Sequence, residues 1–408
     1  MKSIKELLKK GNGPSSSHTM GPKKAAEILK DRNKDADAFK IILYGSLAAT
    51  GKGHLTDYII KKVLEPIPTE IIFNNEMKCK IHPNTMDLFA YKNGKEIYRM
   101  RVYSIGGGAI KIDGEEESKD KEIYKLENFE QIKQYCIKTN KRIYEYVYEQ
   151  EDDDFKDFLK DIWNTMENGI KIGLNSEGEI PGKLRLKKRA KAIYNNIIEN
   201  ETVELKRTRL LTAYAYATSE NNSSGEIIVT APTCGACGVL PAVLYYMKEE
   251  YKYNEDKIIN ALATAGLIGN IIKQNASISG AECGCQAEIG TACSMAAATC
   301  AELLNMEIEK IESAAEIAME HHLGLTCDPI YGYVQIPCIE RNAVAAIRAI
   351  DACNIARLLQ EKQKISFDMV VETMYETGKD LSKHYRETSE GGLAKKYCRN
   401  KFYNKEIE

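Results

Sequence analysis

Two apolar segments in the second half of the chain decide its fold: KIINALATAGLIGNIIK at residues 257–273 and EIGTACSMAAATCAELLN at residues 288–305. The first carries Ala, Leu and Ile all round, and the second is packed with Ala, Ser, Met and Cys. A helix that is apolar on every side is buried among other elements. Helical spacing continues at residues 307–321, 339–359 and 367–377. The sequence therefore predicts an all-helical C-terminal domain around two buried helices.

The overall composition is that of a globular protein with several domains. The 408 residues are enough for two or three domains, and 43% of them are hydrophobic. The 57 Lys and Arg nearly balance the 59 Asp and Glu, which argues against a nucleic-acid-binding protein. No run approaches the ~18 apolar residues of a membrane span, and the N-terminus lacks the pattern of a secretory signal. We therefore expect a cytoplasmic protein without nucleic-acid or membrane partners.

The first part of the chain mixes helical and strand patterns. A Gly- and Ser-rich loop opens onto a helical run at residues 23–29, with Pro22 near its start. Strand-like segments bounded by turn residues follow at residues 39–44, 69–73, 88–91 and 96–105. The charge-dominated run KIDGEEESKDKEIYK at residues 111–125 is predicted to be a solvated linker. The fold class is therefore α+β, with an α/β domain at residues 1–125 and a helical domain at residues 126–408, whose core spans residues 185–400.

Twelve cysteines are the unusual feature of the composition, and eight of them lie between Cys234 and Cys338. Without an export signal they are expected in a reducing compartment, so a disulfide framework is not predicted. Two interpretations stay open from the residues alone. Free cysteines pack well as small hydrophobic residues, and thiolates also bind metals or iron–sulfur clusters.

Four polar loops place these cysteines beside Gly, Ser, Asn or Pro at predicted helix boundaries. They are APTCGACG (residues 231–238), KQNASISGAECGCQ (273–286), HHLGLTCDP (321–329) and QIPCIERN (335–342). Three or four cysteines from separated loops suffice for an iron–sulfur cluster, although the local ferredoxin spacing is absent. The sequence offers no Schiff-base lysine together with a Gly-rich phosphate loop, so pyridoxal phosphate is not expected.

These loops and others carry a resemblance to a known family. The motifs GPSSSHTMGP, YGSLAATGKGH, IHPNTM, SIGGG, APTCGACG, NASISGAECGCQAEIG, EHHLGLTCDP, VQIPCIERNA and YRETSEGGLA run in order from Gly13 to Ala394. Together they resemble the iron–sulfur-dependent bacterial L-serine dehydratases, in the single-chain form that joins a beta-chain domain to a catalytic alpha-chain domain. The resemblance implies an L-serine ammonia-lyase of amino-acid catabolism and gluconeogenesis, which converts L-serine into pyruvate and ammonium.

The resemblance also implies a [4Fe-4S] cluster as cofactor. Its three ligands fall on Cys285 in GCQ, Cys327 in LTCDP and Cys338 in IPCIERN. Three thiolates leave one iron open as a Lewis acid, to which the substrate hydroxyl and carboxylate bind while hydroxide leaves. Cys398 is a candidate fourth ligand near the end of the chain, although ten residues follow it.

Three histidines in the matching motifs are candidates for the catalytic base. A histidine titrates near neutral pH and suits removal of the substrate α-proton. We expect His54 or His82 to act as this base across an interdomain active site, with His18 assisting. The alternative is that these side chains only cap or brace their loops.

The substrate carboxylate and ammonium groups need polar partners. Lys273 and Arg341 are the candidate cations, with helix capping or surface charge as the alternative. The other predicted substrate-binding residues are Ser16, Ser17, Thr19, Thr233, Asn275, Ser277 and Ser279. L-Serine is thus the expected small-molecule partner, and the density of apolar helices indicates a homodimer.

Two other functions stay open. Family members often carry Asn where Cys234 stands, and this departure leaves room for a cysteine desulfidase on a similar cluster. A non-catalytic serine-sensing protein is the second alternative, although all three cluster ligands are present. The remaining cysteines are interpreted as unligated or as core packing, and Cys237 and Cys283 are expected to be the nearest of them to the site. They are Cys79, Cys136, Cys237, Cys283, Cys293, Cys300 and Cys353.

Overall fold

The chain divides into two units in the computed structural model, which describes residues 1–76, 81–115, 122–361, 363–388 and 391–399. A small unit comprises Gly11–Lys119, and a large unit comprises Met1–Lys10 and Asp120–Glu408. This division differs from the predicted one at residue 125, because the first ten residues belong to the large unit. The reason is hydrophobic: Ile4, Leu7 and Leu8 are fully buried in the core of the large unit.

The small unit is a five-stranded mixed sheet with helices. In chain order its elements are α1 (Gly21–Arg32), β2 (Ala38–Tyr44), α2 (Gly45–Thr50), α3 (Thr56–Leu64), β3 (Thr69–Asn74), β4 (Thr85–Lys92), β5 (Lys95–Gly106) and β6 (Ala109–Ile112), and a short strand β1 (Lys10–Asn12) precedes them. The sheet order is β3-β2-β4-β5-β6, with β2 and β3 parallel and the other pairs antiparallel. The four predicted strands and the predicted helix are confirmed.

Every second side chain along the strands points into the core of this unit. Ile41 and Leu43 on β2, and Leu88 on β4, are fully buried and pack with Leu29 of α1 and Ile60 of α3. Such period-two burial is what a sheet covered on one face requires.

The strand β6 was not expected, because its last two residues, Lys111 and Ile112, begin the run that its charges predict to be a solvated linker. Gly107 and Gly108 both have positive φ, at 57° and 72°, and close a tight hairpin between β5 and β6. The predicted solvated linker is also wrong at Tyr124, which is 2% exposed and donates a hydrogen bond from its hydroxyl to Glu151 Oε1 at 2.7 Å. Residues 116–121 of that run lie outside the described residues.

The large unit is helical. Its helices are α4 (Phe129–Thr139), α5 (Ile143–Gln150), α6 (Phe155–Asn175), α7 (Ala190–Asn195), α8 (Val203–Ser223), α9 (Val239–Tyr251), α10 (Glu255–Asn275), α11 (Gly280–Cys283), α12 (Thr291–Leu303), α13 (Ile308–Glu320), α14 (Cys338–Leu358), α15 (Phe367–Asp380) and α16 (Gly392–Arg399). Within the described ranges, the three-residue β7 (Ile227–Val229) is its one named strand beyond residue 121. The predicted order of an α/β domain followed by a helical domain is confirmed.

The two apolar segments that decide the fold form α10 and α12, and both are buried as predicted. Small residues on α10 let the N-terminal segment pack closely. A Cβ atom at Gly266 would lie 2.5 Å from Ile4 Cγ2, and one at Gly269 would lie 2.6 Å from Leu7 Cδ2. Among the described helices, none combines the length and apolar character that crossing a membrane requires.

Candidate functional site

Two of the predicted ligand cysteines meet in the large unit. Cys285 precedes a single π-helical turn, Gln286–Gly290, which leads into α12, and Cys327 lies in the loop after α13. The Sγ atoms of Cys285 and Cys327 and a carboxylate oxygen of Glu288 all lie within 4.8 Å of one another. Two thiols that are 42 residues apart in sequence, at 285 and 327, are thus neighbours in space.

Cys338 is the first residue of α14 and is half-buried. Burial raises the pKa of its thiol, the neighbouring Cys285 raises it further, and Arg341 opposes the rise. The third predicted ligand therefore shares the electrostatic surroundings of Cys285.

Gln286 fixes the two cysteine loops against each other. Its Oε1 atom accepts the backbone N–H of Gly324 at 2.8 Å, and its Nε2 atom donates to the Met374 carbonyl at 3.2 Å. The backbone N–H of Cys327 donates to the Tyr385 carbonyl at 2.8 Å. Because Gln286 is fully buried, these bonds hold the backbone on either side of the thiols in place.

Asn342 is a site residue that is not among the predicted ones. Its Oδ1 atom accepts the N–H of Gly238, and its Nδ2 atom donates to the carbonyls of Gly235 and Cys338, each at 2.8 Å. The buried amide therefore joins the APTCGACG loop to the first turn of α14. A signal was present, since Asn342 ends the quoted motif QIPCIERN one helical turn after Cys338.

The donor set fits a metal cluster held by thiolates. A Cβ atom at Gly280 would lie 3.2 Å from Cys327 Sγ and 2.6 Å from Glu288 Oε2, so glycine keeps open the space beside the thiol. Thiolates are the usual ligands of iron–sulfur clusters and of zinc. Cys285, Cys327 and Cys338 are the residues that could hold such a group.

Thr233 and Arg341 are the two predicted substrate-binding residues that lie at this cluster of thiols. Thr233 Oγ1 donates to Glu288 Oε1 at 2.7 Å. Arg341 Nη1 donates to the Thr326 carbonyl at 2.6 Å, and Arg341 Nη2 lies 3.4 Å from Asp328 Oδ1. Burial lowers the pKa of Arg341, but Cys285 and Cys338 outweigh it and raise the pKa overall.

The other predicted substrate-binding residues of the large unit have different partners. Ser277 Oγ donates to Glu282 Oε2 at 2.7 Å, and Ser279 is the residue before α11. Lys273 Nζ donates to the Glu6 carbonyl at 3.0 Å, and Asn275 Nδ2 donates to the Glu127 carbonyl at 2.7 Å. Lys273 and Asn275 thus bond to neighbouring backbone segments, and their binding of substrate stays a prediction.

Cys398 lies on α16 and is half-buried. Burial raises the pKa of the Tyr331 hydroxyl, and the nearby Cys398 thiol raises it further. The structure therefore places Cys398 beside Tyr331, and the group formed by Cys285, Glu288 and Cys327 does not include it among the described residues. Residues 400–408, which follow it, lie outside the described part of the chain.

Two of the predicted histidines form a pair in the small unit. The rings of His18 and His54 are 4.6 Å apart, and both residues are 5% exposed. His18 Nδ1 lies 2.9 Å from Ser17 Oγ, and His18 Nε2 lies 2.9 Å from Ser46 Oγ. Both ring nitrogens of His18 are therefore engaged by hydroxyl groups.

His54 has one ring nitrogen engaged. Its Nδ1 atom lies 3.1 Å from the Thr50 carbonyl, which can only accept, so Nδ1 carries the proton and Nε2 carries a lone pair. Burial lowers the pKa of His54 to about 4, and the ring is neutral at pH 7. Burial lowers the pKa of His18 as well, and the neighbouring His54 adds to that shift.

His82 is half-buried, and its Nδ1 atom accepts the backbone N–H of Asn84 at 3.0 Å. The lone pair of its neutral ring is therefore already used. Burial lowers the pKa of His82 below its ordinary value.

The predicted Ser- and Thr-rich loop packs around the histidine pair. Ser16 and Ser17 are half-buried on the π-helical turn Ser16–Met20. Thr19 is fully buried, and its hydroxyl donates to the His54 carbonyl at 2.7 Å. Thr19 thus holds the backbone of His54 in place.

The remaining cysteines are mostly packed in the core of the large unit. Cys293 Sγ donates to the Ala345 carbonyl at 3.3 Å, and Cys353 Sγ lies 3.8 Å from Met306 Sδ. The others that the structure describes are buried: Cys136, Cys234, Cys237, Cys283 and Cys300. Cys79 lies outside the described residues, so its predicted unligated state stays a prediction.

Comparisons with known proteins cover nearly the whole chain. The family described as serine dehydratase alpha chain matches residues 88–394, and the family described as serine dehydratase beta chain matches residues 3–66. L-serine dehydratase 2 of Escherichia coli (strain K12) is 39% identical, over 97% of this chain and 99% of that protein. L-serine dehydratases of Haemophilus influenzae and Streptomyces coelicolor are 40% and 36% identical, over 98% and 96% of this chain and 100% and 98% of those proteins.

Proposed function

Because the chain belongs to the serine dehydratase family, with alpha-chain and beta-chain regions in one polypeptide, we propose that it is an L-serine dehydratase that forms pyruvate and ammonium. The observation that carries the proposal is the meeting of Cys285 and Cys327 beside Glu288 within a chain of this family. Loss of water from L-serine gives 2-aminoacrylate, which tautomerises and hydrolyses to the two products. The chain must therefore bind an amino acid, accept its α-proton and stabilise the departing hydroxide.

Cys285, Cys327 and Cys338 are the proposed ligands of a [4Fe-4S] cluster. Held by three thiolates, such a cluster supplies a Lewis acid toward the substrate hydroxyl. The buried Gln286 and Asn342 support the proposal, because they fix the backbone on which the three thiols stand. Hydrogen bonds from residues next to the ligands commonly orient the ligands of a metal site.

Arg341 is the proposed partner of the substrate carboxylate. It lies one helical turn after Cys338, and its guanidinium group retains further N–H donors besides those directed at Thr326 and Asp328. Arginine binds carboxylates through its planar fork of donors, which lysine cannot reproduce. Ser277 and Ser279 stay predicted substrate contacts on the neighbouring loop.

His54 is the proposed acceptor of the α-proton. It is neutral at pH 7 and has a lone pair on Nε2, whereas the lone pair of His82 is taken by the N–H of Asn84. His18 stays a predicted assisting residue, since its ring lies against that of His54. Ser16, Ser17 and Thr19 stay predicted substrate contacts beside this pair.

Several finer properties are part of the proposal. We expect the enzyme to act in the cytoplasm as a homodimer and to work without pyridoxal phosphate. Light scattering on the purified protein tests the dimer, and the absence of a pyridoxal absorbance band tests the cofactor. A cysteine desulfidase stays the alternative within the same chemistry, and a serine sensor is the non-catalytic alternative.

The decisive experiment is anaerobic purification followed by iron and sulfide analysis and by turnover assays with L-serine and L-cysteine. We expect about four iron and about four sulfide per chain, and faster pyruvate formation from L-serine. Faster turnover of L-cysteine would favour the desulfidase, and an iron-loaded protein without turnover would favour the sensor. A colourless, iron-free protein that still deaminates L-serine would contradict the proposal.

A further inference from the structure

Three sulfur atoms meet in the core of the large unit. Cys300 lies on α12, Cys353 lies on α14, and Met306 follows the C-terminal end of α12. Cys353 Sγ lies 3.8 Å from Met306 Sδ. The thiol of Cys300 lies beside that of Cys353, and their hydrogen bond, together with burial, raises the pKa of the Cys300 thiol well above its ordinary value. We refer to Cys300, Met306 and Cys353 as the sulfur triad.

The packing of two helices explains why these side chains meet. Cys293 Sγ on α12 donates to the Ala345 carbonyl on α14 at 3.3 Å, so the two helices touch there. Cys300 is seven residues further along α12 and lies on the same face as Cys293, because seven residues are about two helical turns. Cys353 is eight residues beyond Ala345 on α14. The two helices therefore run in the same direction and bring both thiols together two turns further on.

The turn after α12 places the thioether beside the thiols. The chain reverses at Asn305, which has a positive φ of 53°, and the N–H of Met306 donates to the Ala301 carbonyl at 3.0 Å. Met306 is 8% exposed, whereas Cys300 and Cys353 are 1% and 0% exposed. The thioether is therefore the member of the sulfur triad that reaches toward solvent.

The donors of the sulfur triad suit a soft cation. Thiolates and thioethers favour Cu(I) over hard cations such as magnesium and calcium. Zinc usually takes four ligands, and among the described residues no His, Asp, Glu or further Cys has a ligand atom within 4.8 Å of both thiols. A trigonal ion with metal–sulfur bonds of about 2.3 Å holds its sulfur atoms about 4.0 Å apart. The distance of 3.8 Å between Cys353 and Met306 is close to this value.

Two arginines lie close enough to act on the sulfur triad electrostatically. The charges of Arg207 and Arg357 oppose the rise in the pKa of the Cys300 thiol, so both favour a thiolate there. Arg207 Nε is buried and has no hydrogen-bond partner in the described part of the chain, although Arg207 Nη2 lies 2.9 Å from Asp351 Oδ1. Two thiolates and one Cu(I) ion carry a single net negative charge. A buried charge of this kind needs nearby cations, and the arginines supply them.

We propose that Cys300, Met306 and Cys353 bind one Cu(I) ion. Binding forms two copper–thiolate bonds and one copper–thioether bond, releases the two thiol protons to water and transfers no electrons. Cys353 lies 15 residues after Cys338 on α14, about 22 Å along the helix. The copper site is therefore separate from the proposed iron–sulfur site, and the inference does not rest on the proposed function.

The test is a titration of the anaerobically purified protein with Cu(I) in competition with bicinchoninate, a chelator that becomes coloured when it binds Cu(I). We expect Cys300→Ser and Cys353→Ser each to retain one copper ion per chain fewer than the parent, with iron and sulfide unchanged in all three proteins. Cys293→Ser is the matched control, because Cys293 is equally buried on α12 but its thiol bonds to a backbone carbonyl. It should retain the parental amount of copper.

Met306→Leu tests the thioether with little change in side-chain volume. We expect this variant to release its copper at a lower bicinchoninate concentration than the parent does. Equal retention by Met306→Leu and the parent would overturn the assignment of three sulfur ligands. Parental copper in Cys300→Ser or Cys353→Ser, or copper uptake by the parent only as iron is lost, would overturn the copper site itself.

A measurement on the parent alone decides if the cysteine variants do not fold. X-ray absorption at the copper edge, with one equivalent of Cu(I) bound, should show sulfur as the only neighbours, at about 2.3 Å. The thermal midpoint of the parent should also rise on loading, because the ion binds the folded chain and joins α12 to α14. Nitrogen or oxygen neighbours, or an unchanged thermal midpoint, would contradict the proposal.

Discussion

Asn342 Oδ1 accepts the backbone N–H of Gly238 at 2.8 Å and so joins two segments that are 104 residues apart in sequence. The same buried amide donates to the carbonyls of Gly235 and Cys338. One side chain therefore satisfies three backbone groups around the N-terminus of α14, where Cys338 stands. Buried polar groups that are fully paired in this way give a segment a single arrangement.

We predict that Asn342→Leu lowers the free energy of unfolding by at least about 2 kcal/mol, because each buried backbone group left unpaired costs about 1–3 kcal/mol. The thermal midpoint of the anaerobically purified protein measures this loss. Asn195→Leu is the matched control, since Asn195 is exposed at the end of α7. Equal midpoints for the two variants would show that the Asn342 network does not stabilise the fold.

The buried histidine pair should make stability depend on pH. Burial lowers the folded-state pKa of His54 to about 4, whereas a histidine in an unfolded chain titrates near about 6.5. The unfolded chain then takes up a proton that the folded chain does not, so the stabilisation is complete above pH 6.5 and is lost as the pH falls toward 4. His54 alone accounts for about 3 kcal/mol over this range, since one pKa unit is worth about 1.4 kcal/mol.

Thermal midpoints between pH 7 and pH 5 measure this effect. We expect the midpoint of His54→Gln to fall less steeply with decreasing pH than that of the parent. His384→Gln is the control, because His384 is exposed. Parallel slopes for the parent and His54→Gln would contradict the lowered pKa.

Single replacements of His54 and His82 should show which of the two side chains is the catalytic base. We predict that His54→Asn lowers kcat by about 10²–10⁴, the usual contribution of a general base. His82→Asn should retain most of the parental kcat, because its Nδ1 lone pair is already used by Asn84. The assay uses protein with matched iron content. If His54→Asn keeps the parental kcat, another group removes the α-proton.

Cysteine replacements should distinguish ligands from packing. Cys338→Ala is expected to lose most of the bound iron, because two thiolates hold a cluster far less well than three. Cys293→Ala is the matched control: Cys293 is fully buried on α12 with its thiol bonded to Ala345, and its loss leaves only a small cavity. The amount of iron per folded chain, measured after anaerobic purification, distinguishes a ligand from a packing residue. Parental iron in Cys338→Ala would remove it from the ligand set.

Patterns that act over a few residues were predictable from the sequence. Strand-like segments bounded by turn residues predict the strands from β2 to β5, and apolar residues on all sides predict the buried helices α10 and α12. The hairpin strand β6 was missed because only Ala109 and Ile110 precede the charged run, and two residues are too few to show a strand pattern. Its turn depends on Gly107 and Gly108, whose positive φ angles no hydrophobic pattern reveals.

Contacts between distant residues were not predictable. The hydroxyl of Thr233 predicts a polar contact, but its partner Glu288 is 55 residues away, and nothing local indicates that bond. Lys273 is a cation at the start of a cysteine loop in the sequence, yet it bonds to the carbonyl of Glu6, 267 residues earlier. A lysine at the end of a helix reaches whichever carbonyl the fold brings near, and only the tertiary structure specifies which one.

The packing of the N-terminal segment gives a further prediction. Leu7 is 2% exposed and contacts α10 where Gly269 has no side chain. Leu7→Ala should lower the free energy of unfolding by about 2–5 kcal/mol, as is usual for a buried leucine. Leu358→Ala is the control, because Leu358 is 79% exposed on α14. Equal thermal midpoints for the two variants would show that the segment is not part of the core.

Because Met1–Lys10 and Asp120–Glu408 form one unit, the small unit is in effect a domain inserted into the chain of the large one. During synthesis, the first ten residues leave the ribosome long before the helices that will cover them. If the 109 residues from 11 to 119 were a flexible loop, closing it would cost about 4 kcal/mol of chain entropy. A folded insert holds its two ends at a fixed separation and removes most of that cost. A mutation that unfolds the small unit should therefore also weaken the large unit, without touching any of its residues.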